Sequence, residues 1–92
     1  MLTTRTTIHV NVKMDPTAFF FYHEKIAFGH TYADAVKHSR EAESFVGPDG
    51  KVDLHVVYNG DDMNHAIRCE KRLKEMVELY ERQYKEQDSN GA

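Results

Sequence analysis

Two stretches of the chain alternate between apolar and polar residues, and this alternation restricts the fold more than any other feature. In residues 6–13, TTIHVNVK, every second side chain is apolar. Residues 51–58, KVDLHVVY, show the same pattern, with Val57 as an additional apolar residue. A period of two predicts half-buried β-strands, each with one face against a core and the other toward water.

Residues 18–28 contain four consecutive aromatic side chains and permit two interpretations. Asp15 as the N-cap and Pro16 at the first position would begin a helix. Four successive aromatic residues would cover all sides of a helix, however, whereas they suit a pleated strand. We favour the strand, because a sheet of only two strands is marginally stable.

Two helices are predicted in the rest of the chain. Residues 32–46 have apolar positions at helical spacing, and Gly47 follows as a helix stop. Residues 47–50, GPDG, form a tight turn before the second predicted strand. The last helix extends over residues 62–87, about 38 Å at 1.5 Å per residue, so its C-terminal part is expected to project or to pack on a partner.

These elements predict a single α+β domain over residues 1–86. Its order would be β-β-α-β-α in two layers, with a small sheet, two helices on one sheet face and a long C-terminal helix. Residues 87–92 are expected to be a disordered C-terminal tail.

Composition excludes several classes of protein. No apolar run approaches the roughly 18 residues that a membrane span needs, so no membrane partner is expected. The single cysteine, Cys69, excludes an intramolecular disulfide and favours a reducing cytoplasm. A net charge of −3 argues against a strongly basic nucleic-acid-binding domain.

The junction after the second predicted strand carries two carboxylates and a histidine. Asp61 and Asp62 follow a turn and precede the long helix, where they would cap its N-terminus and complement its dipole. The alternative is a metal-dependent enzyme site, for which the candidate ligands are His55, Asp61, Asp62 and His65. Their spacing matches neither an EF-hand loop nor a histidine pair of the HExxH type, so we favour the cap and expect no cofactor.

Six histidines are the one unusual feature of the composition. His9 and His55 lie on the polar faces of the two alternating strands, and would be cross-strand partners if those strands are neighbours. His65 and Cys69 are four residues apart, so they can meet on one helix face. Scattered surface histidines are the simpler interpretation, and a pH-responsive or metal-binding cluster is the alternative.

A basic face on the last helix supports a second alternative function. Arg68, Lys71 and Arg72 are spaced i, i+3, i+4 and share a face that could contact phosphates. Nearby glutamates compensate this charge, so a solvated helix face explains the same residues. A nucleic-acid-binding module is therefore possible but not favoured.

One segment resembles a known family. Residues 29–42, GHTYADAVKHSREA, resemble the start of the helix in HicB-like antitoxins, at Gly29, Thr31, Asp34, Ala35, Arg40, Glu41 and Ala42. The resemblance covers 14 of the 92 residues and lacks the family's proline- and glycine-containing approach before Gly29. It implies a helix here and carries no function.

No catalytic motif is recognised, so the sequence favours a small non-enzymatic regulatory or inhibitory protein that binds another protein. Open sheet edges and surplus aromatic residues favour a homodimer, formed through a strand edge or the last helix, or binding to a larger assembly. Large aromatic residues and arginine are enriched at interface hot spots. The predicted contact residues are Phe19, Phe21, Arg68, Arg72, Tyr80 and Tyr84.

Overall fold

The computed structural model describes residues 6–90, with side chains described to residue 87. It contains three strands and four helices: β1 (Thr7–Met14), α1 (Pro16–Phe21), α2 (His23–Phe28), α3 (His30–Lys37), β2 (Glu41–Val46), β3 (Val52–Asn59) and α4 (Met63–Asn90). A short 3-10 turn, Gly60–Asp62, connects β3 to α4. The predicted α+β class, with a small sheet and a long C-terminal helix, is confirmed.

β3 is the central strand of a three-stranded antiparallel sheet with the order β1-β3-β2. Val56 of β3 faces Val10 of β1 on one side and Ala42 of β2 on the other. Because β1 and β2 are both antiparallel to β3, they run parallel to each other, and α1 to α3 connect them. This is a split β-α-β unit, in which a third strand lies between the two connected strands.

The core lies between one sheet face and the helices. Val52, Leu54, Val56 and Tyr58 alternate along β3 and are almost completely buried. α4 packs on this face with inward side chains at helical spacing, which are Ala66, Cys69, Leu73, Met76 and Val77. α3 is tied to the same face, because the Tyr58 hydroxyl donates a 3.1 Å hydrogen bond to the carbonyl of Ala35. Burial raises the pKa of Tyr58.

The strand predicted for residues 18–28 is wrong, since this segment forms α1 and α2. Asp15 is the N-cap of α1, where its side chain accepts a 2.9 Å hydrogen bond from the Thr17 amide, and Pro16 opens the helix. The helical spacing is visible in Ala18, Tyr22 and Ile26, which are four residues apart and buried. The remaining aromatic side chains face elsewhere, so no helix has to bury all four.

The helix predicted for residues 32–46 is only half right. α3 ends at Lys37, and Glu41–Val46 forms β2. Residues 47–50 close a β-hairpin, with a 2.8 Å hydrogen bond from the Gly47 amide to the Lys51 carbonyl and Gly50 at a φ of 82°. Pairing with β3 along the whole strand outweighs the helix preference of the Glu-Ala-Glu sequence that starts β2.

The last helix runs further than expected. α4 continues to Asn90, so residues 87–90 of the predicted disordered tail are helical, and residues 91–92 lie outside the described part of the chain. Among residues 6–90, no helix has the length and apolar character that crossing a membrane requires.

The cap of α1 gives a pH-dependent prediction. Hydrogen bonds from Thr17 hold the pKa of Asp15 below its ordinary value of 3.8, so the contribution of the cap is complete above that pH and is lost as the pH falls through the lowered pKa. Asp15→Ala should lower the free energy of unfolding by about 1 kcal/mol at neutral pH. Urea denaturation across the pH range measures this loss.

Asp15→Asn is the matched control, because asparagine caps helices as well as aspartate and does not titrate. It should keep most of the stability and show no pH dependence at this position. A loss in Asp15→Ala that persists unchanged at pH values well below 3.8 would contradict the capping role of the ionised carboxylate.

Candidate functional site

A groove runs between α4 and the segment that contains α1, α2 and the start of α3. We call it the α2–α4 groove. Its first part is a depression of about 480 Å³, and its main lining residues are His30, Asp34, Arg72, Met76, Leu79 and Tyr80. Its second part, of about 620 Å³, is lined by Phe21, Tyr22, Lys25, Gln83, Glu86 and Gln87. The α4 residues of both parts follow one another at helical spacing, so the groove continues along one flank of the helix.

Aromatic packing fixes the far end of this groove. The Tyr22 and Tyr80 ring centroids are 5.1 Å apart, and those of Phe21 and Tyr84 are 5.4 Å apart. The Tyr22 hydroxyl also donates a 3.2 Å hydrogen bond to Oε1 of Gln87. The C-terminal half of α4 therefore packs on α1 of its own chain as far as Gln87.

Three phenylalanines on α1 and α2 are mostly exposed. Phe20, Phe21 and Phe28 have 61%, 55% and 86% of their surface accessible to solvent. These positions lie off the buried stripe of Ala18 and Tyr22, which is why the helices turn them outward. Large apolar side chains in this number on so short a segment are typical of an interaction surface rather than of an ordinary exterior.

The six predicted contact residues fall into three groups. Phe21, Arg72 and Tyr80 line the α2–α4 groove, and Tyr84 packs on Phe21. Arg68 is exposed one turn before Arg72. Phe19 is half-buried against the core, with its ring on Phe20 at 5.4 Å.

The exposure of Phe20 and Phe28 was not predicted from the sequence. The strand interpretation of residues 18–28 placed both side chains on the same face as Tyr22 and Ile26, which are buried. The four-residue spacing of Ala18, Tyr22 and Ile26 contained the missing information. Read as the buried stripe of a helix, it leaves Phe20 and Phe28 on the outside.

The candidate metal ligands do not come together. His55 lies on the open face of the sheet, whereas His65 lies on the helix side, with its Nε2 3.6 Å from Sγ of Cys69 and its ring 5.4 Å from that of Tyr58. Asp61 and Asp62 are exposed in the 3-10 turn before α4. Within residues 6–90, no group of three or more histidine, cysteine or acidic side chains is placed to hold a metal ion.

His9 and His55 meet on the open sheet face, as predicted, but as diagonal neighbours, because His9 is opposite Val57 and His55 is opposite Asn11. Nδ1 of His9 is 2.9 Å from Nε2 of His55, and the ring planes differ by only 3°. The ring centroids are 5.1 Å apart, which is nearly the largest separation that the 2.9 Å N···N distance allows. The two nitrogens therefore lie almost on the line between the centroids. The rings are coplanar and meet edge to edge through a hydrogen bond, and they do not stack. One ring must donate and the other accept.

Glu43 of β2 extends this contact across the sheet, because its Oε1 lies 3.4 Å from Nδ1 of His55. The three side chains thus form a polar chain over β1, β3 and β2. The two nitrogens point at each other and form a hydrogen bond. The ligands of a tetrahedral metal ion instead point at a shared central position, which these nitrogens do not. The arrangement is therefore a hydrogen-bonded pair with an acidic neighbour.

Comparison with known proteins adds no assignment. No protein-family model matches the chain, and no curated protein or solved structure is significantly similar to it. The resemblance of residues 29–42 to HicB-like antitoxins therefore does not extend to a family, and its last two residues belong to β2 rather than to a helix.

If Phe28 serves an interface and not the core, its loss should not matter for folding. Phe28→Ser should change the free energy of unfolding by less than about 0.5 kcal/mol, as substitutions at exposed sites usually do. Ile26→Ala in the same helix is the control, and should cost roughly 2–5 kcal/mol because Ile26 is buried. Urea denaturation compares the two, and a loss at Phe28 as large as that at Ile26 would assign Phe28 to the core.

Proposed function

We propose that this chain is a small non-enzymatic regulatory or inhibitory protein that acts by binding another protein through the α2–α4 groove. The observation that carries the proposal is the exposure of Phe21, which lines the groove. Phe20 and Phe28 are exposed on the same two helices and extend the apolar surface beyond the groove. Aromatic residues are enriched at the centres of protein interfaces, where burying them provides much of the affinity.

The composition of the groove indicates the kind of partner. Leu79, Met76 and Tyr80 supply apolar surface in its first part, and Arg72 lies 3.9 Å from Asp34 across it. Lys25 and Glu86 place charges at the second part. An amphipathic segment, with apolar side chains at helical spacing and polar flanks, fits such a mixed groove.

The proposal includes self-association and a cytoplasmic location. Two strand edges are open among the described residues, which favours a homodimer that can also bind a larger assembly. Cys69 is buried, as expected of a structural thiol in a reducing compartment.

The two alternatives receive less support. Arg68 and Arg72 are exposed, but a carboxylate of Asp34 is close to Arg72, and the chain carries a net charge of −3, so the basic face is partly neutralised. The separation of His55 from His65 by the sheet leaves the metal-dependent enzyme without its ligand set.

The test is capture of partners by purified tagged protein from cells that naturally express the chain. Phe20→Ser/Phe21→Ser should lose the partners that the wild type retains, because the substitutions remove apolar contact area without removing core side chains. Phe45→Ser is the matched control, since Phe45 is 44% exposed but lies on β2, away from the groove.

Circular dichroism of each variant should show the wild-type spectrum, which checks that the fold is retained. The proposal predicts that Phe45→Ser captures the same proteins as the wild type. If the double variant captures that same set as well, the α2–α4 groove is not the binding surface.

A further inference from the structure

The outer edge of β1 carries unpaired backbone groups, and the hydrogen bonds of the hairpin show which ones. The carbonyls of Lys51 and Val57 both accept hydrogen bonds from the β2 side, from Gly47 and Arg40. Backbone groups of successive residues in a strand point to opposite sides. The N–H and C=O groups of the odd-numbered residues of β3 therefore point toward β2, and those of the even-numbered residues point toward β1.

The pairing register of β1 with β3 then shows in which direction the backbone groups of β1 point. Even-numbered residues of β3 are opposite even-numbered residues of β1, as Val56 is opposite Val10. The even-numbered residues of β1 thus use their N–H and C=O groups within the sheet. The groups that point outward belong to Thr7, His9, Asn11 and Lys13, and no strand among residues 6–90 pairs with them.

We propose that a second copy of this chain pairs with that edge, β1 against β1 in antiparallel orientation, with the two-fold axis at Val10. This inference rests on the self-association included in the proposed function, and it does not involve the α2–α4 groove. The two sheets would join into one of six strands with all helices on the same face. Closed two-fold symmetry of this kind is the commonest arrangement of homodimers.

The side chains of β1 fit this register. A two-fold axis at Val10 places Thr7 opposite Lys13 of the second copy and His9 opposite Asn11, so that all four outward-pointing residues find a partner. Ile8 is opposite Val12 on the core side. Every apolar side chain meets an apolar one, every polar side chain meets a polar one, and no two like charges are opposite.

Two apolar side chains are exposed in the first turns of α4, on the flank beside this edge. Met63 and Ile67 are 56% and 59% exposed. Met63 and Arg72 are nine residues apart, which is two and a half turns of helix, so Met63 is on the opposite flank from the one at which Arg72 contacts α3. The turn that leads into α4 approaches the residue before β1 closely, because a Cβ at Gly60 would lie 2.2 Å from the carbonyl oxygen of Thr6.

The other edge of the sheet is a poorer template for self-pairing. β2 has six residues against the eight of β1, and carries Glu41 and Glu43 on its open face. Pairing β2 with itself would gather four carboxylates along one junction, which is unfavourable. β1 has only Lys13 as a formal charge, and Asp49 neutralises it through an ion pair of 2.6 Å.

Asn11→Pro tests the edge, because it removes an outward-pointing N–H from an exposed position of an edge strand, where proline is tolerated. Sedimentation equilibrium of the purified chain, from low to high micromolar concentration, should show the wild type as a dimer and Asn11→Pro as a monomer. Ser44→Pro is the matched control, since it removes an outward N–H from the β2 edge and should leave the dimer intact.

The register is tested by introducing a charge at Thr7, an exposed residue whose substitution should have little effect on folding. Thr7→Lys places a lysine opposite Lys13 at both ends of the junction and should weaken the dimer, whereas Thr7→Glu should tighten it. From two cross-strand charge pairs we expect a change of roughly 2- to 30-fold in the dissociation constant in each direction. Adding Lys13→Glu to Thr7→Lys places opposite charges across the junction again, so it should reverse the weakening caused by Thr7→Lys alone.

The outcomes separate this inference from the proposed function. A dimer that Asn11→Pro and Thr7→Lys leave unchanged would overturn pairing at β1 and keep self-association at another surface. A wild type that stays monomeric at every concentration would overturn both β1 pairing and self-association. Neither result affects capture of other proteins by the groove, because that assay uses substitutions on α1.

Discussion

The structure depends on burial of one face of β3. Val52, Leu54, Val56 and Tyr58 lie between two neighbouring strands and beneath α3 and α4, and none of them is more than 1% exposed. Because a small domain has only enough helix to cover one side of its sheet, the opposite face carries polar side chains such as Asp53 and His55. The polar open face follows from this one-sided core.

How well the sequence predicted each element depended on where the stabilising contacts of that element lie. The strand pattern of β1 and β3 is local, and it was sufficient to predict the meeting of His9 and His55. β2 is stabilised by pairing with β3, and its Glu-Ala-Glu start has no local strand preference, so it was mistaken for helix. In α1 and α2 the run of aromatic residues favoured a strand, whereas the cap at Asp15 and the four-residue spacing of Ala18, Tyr22 and Ile26 indicated the helices that form.

The candidate site was predictable in part for the same reason. Phe21, Arg72 and Tyr80 were named as contact residues from their chemistry, and the structure places them along one groove. Phe19 has the same chemistry, but it is partly buried against the core. Phe19 lies in α1, which was predicted as a strand, so the direction of its side chain could not be predicted.

The two proposed surfaces lie on opposite flanks of α4, and this arrangement has a consequence for binding. A dimer joined at β1 would leave the α2–α4 groove of each copy open. Two identical grooves on one particle would bind a repeated or dimeric partner more tightly than either groove alone, because the second contact is intramolecular. The same helix would thus separate the surface used for self-association from the surface used for other proteins.

The central claim is that the sheet is covered on one side and that a second copy completes its β1 edge. Residue-resolved hydrogen exchange of the β1 amides tests this claim most directly. The amides of Ile8, Val10 and Val12 should be protected at all protein concentrations, since they bond to β3. Those of His9, Asn11 and Lys13 should exchange freely in dilute protein and become protected as the concentration rises. Rapid exchange of these three amides at every concentration would contradict the account.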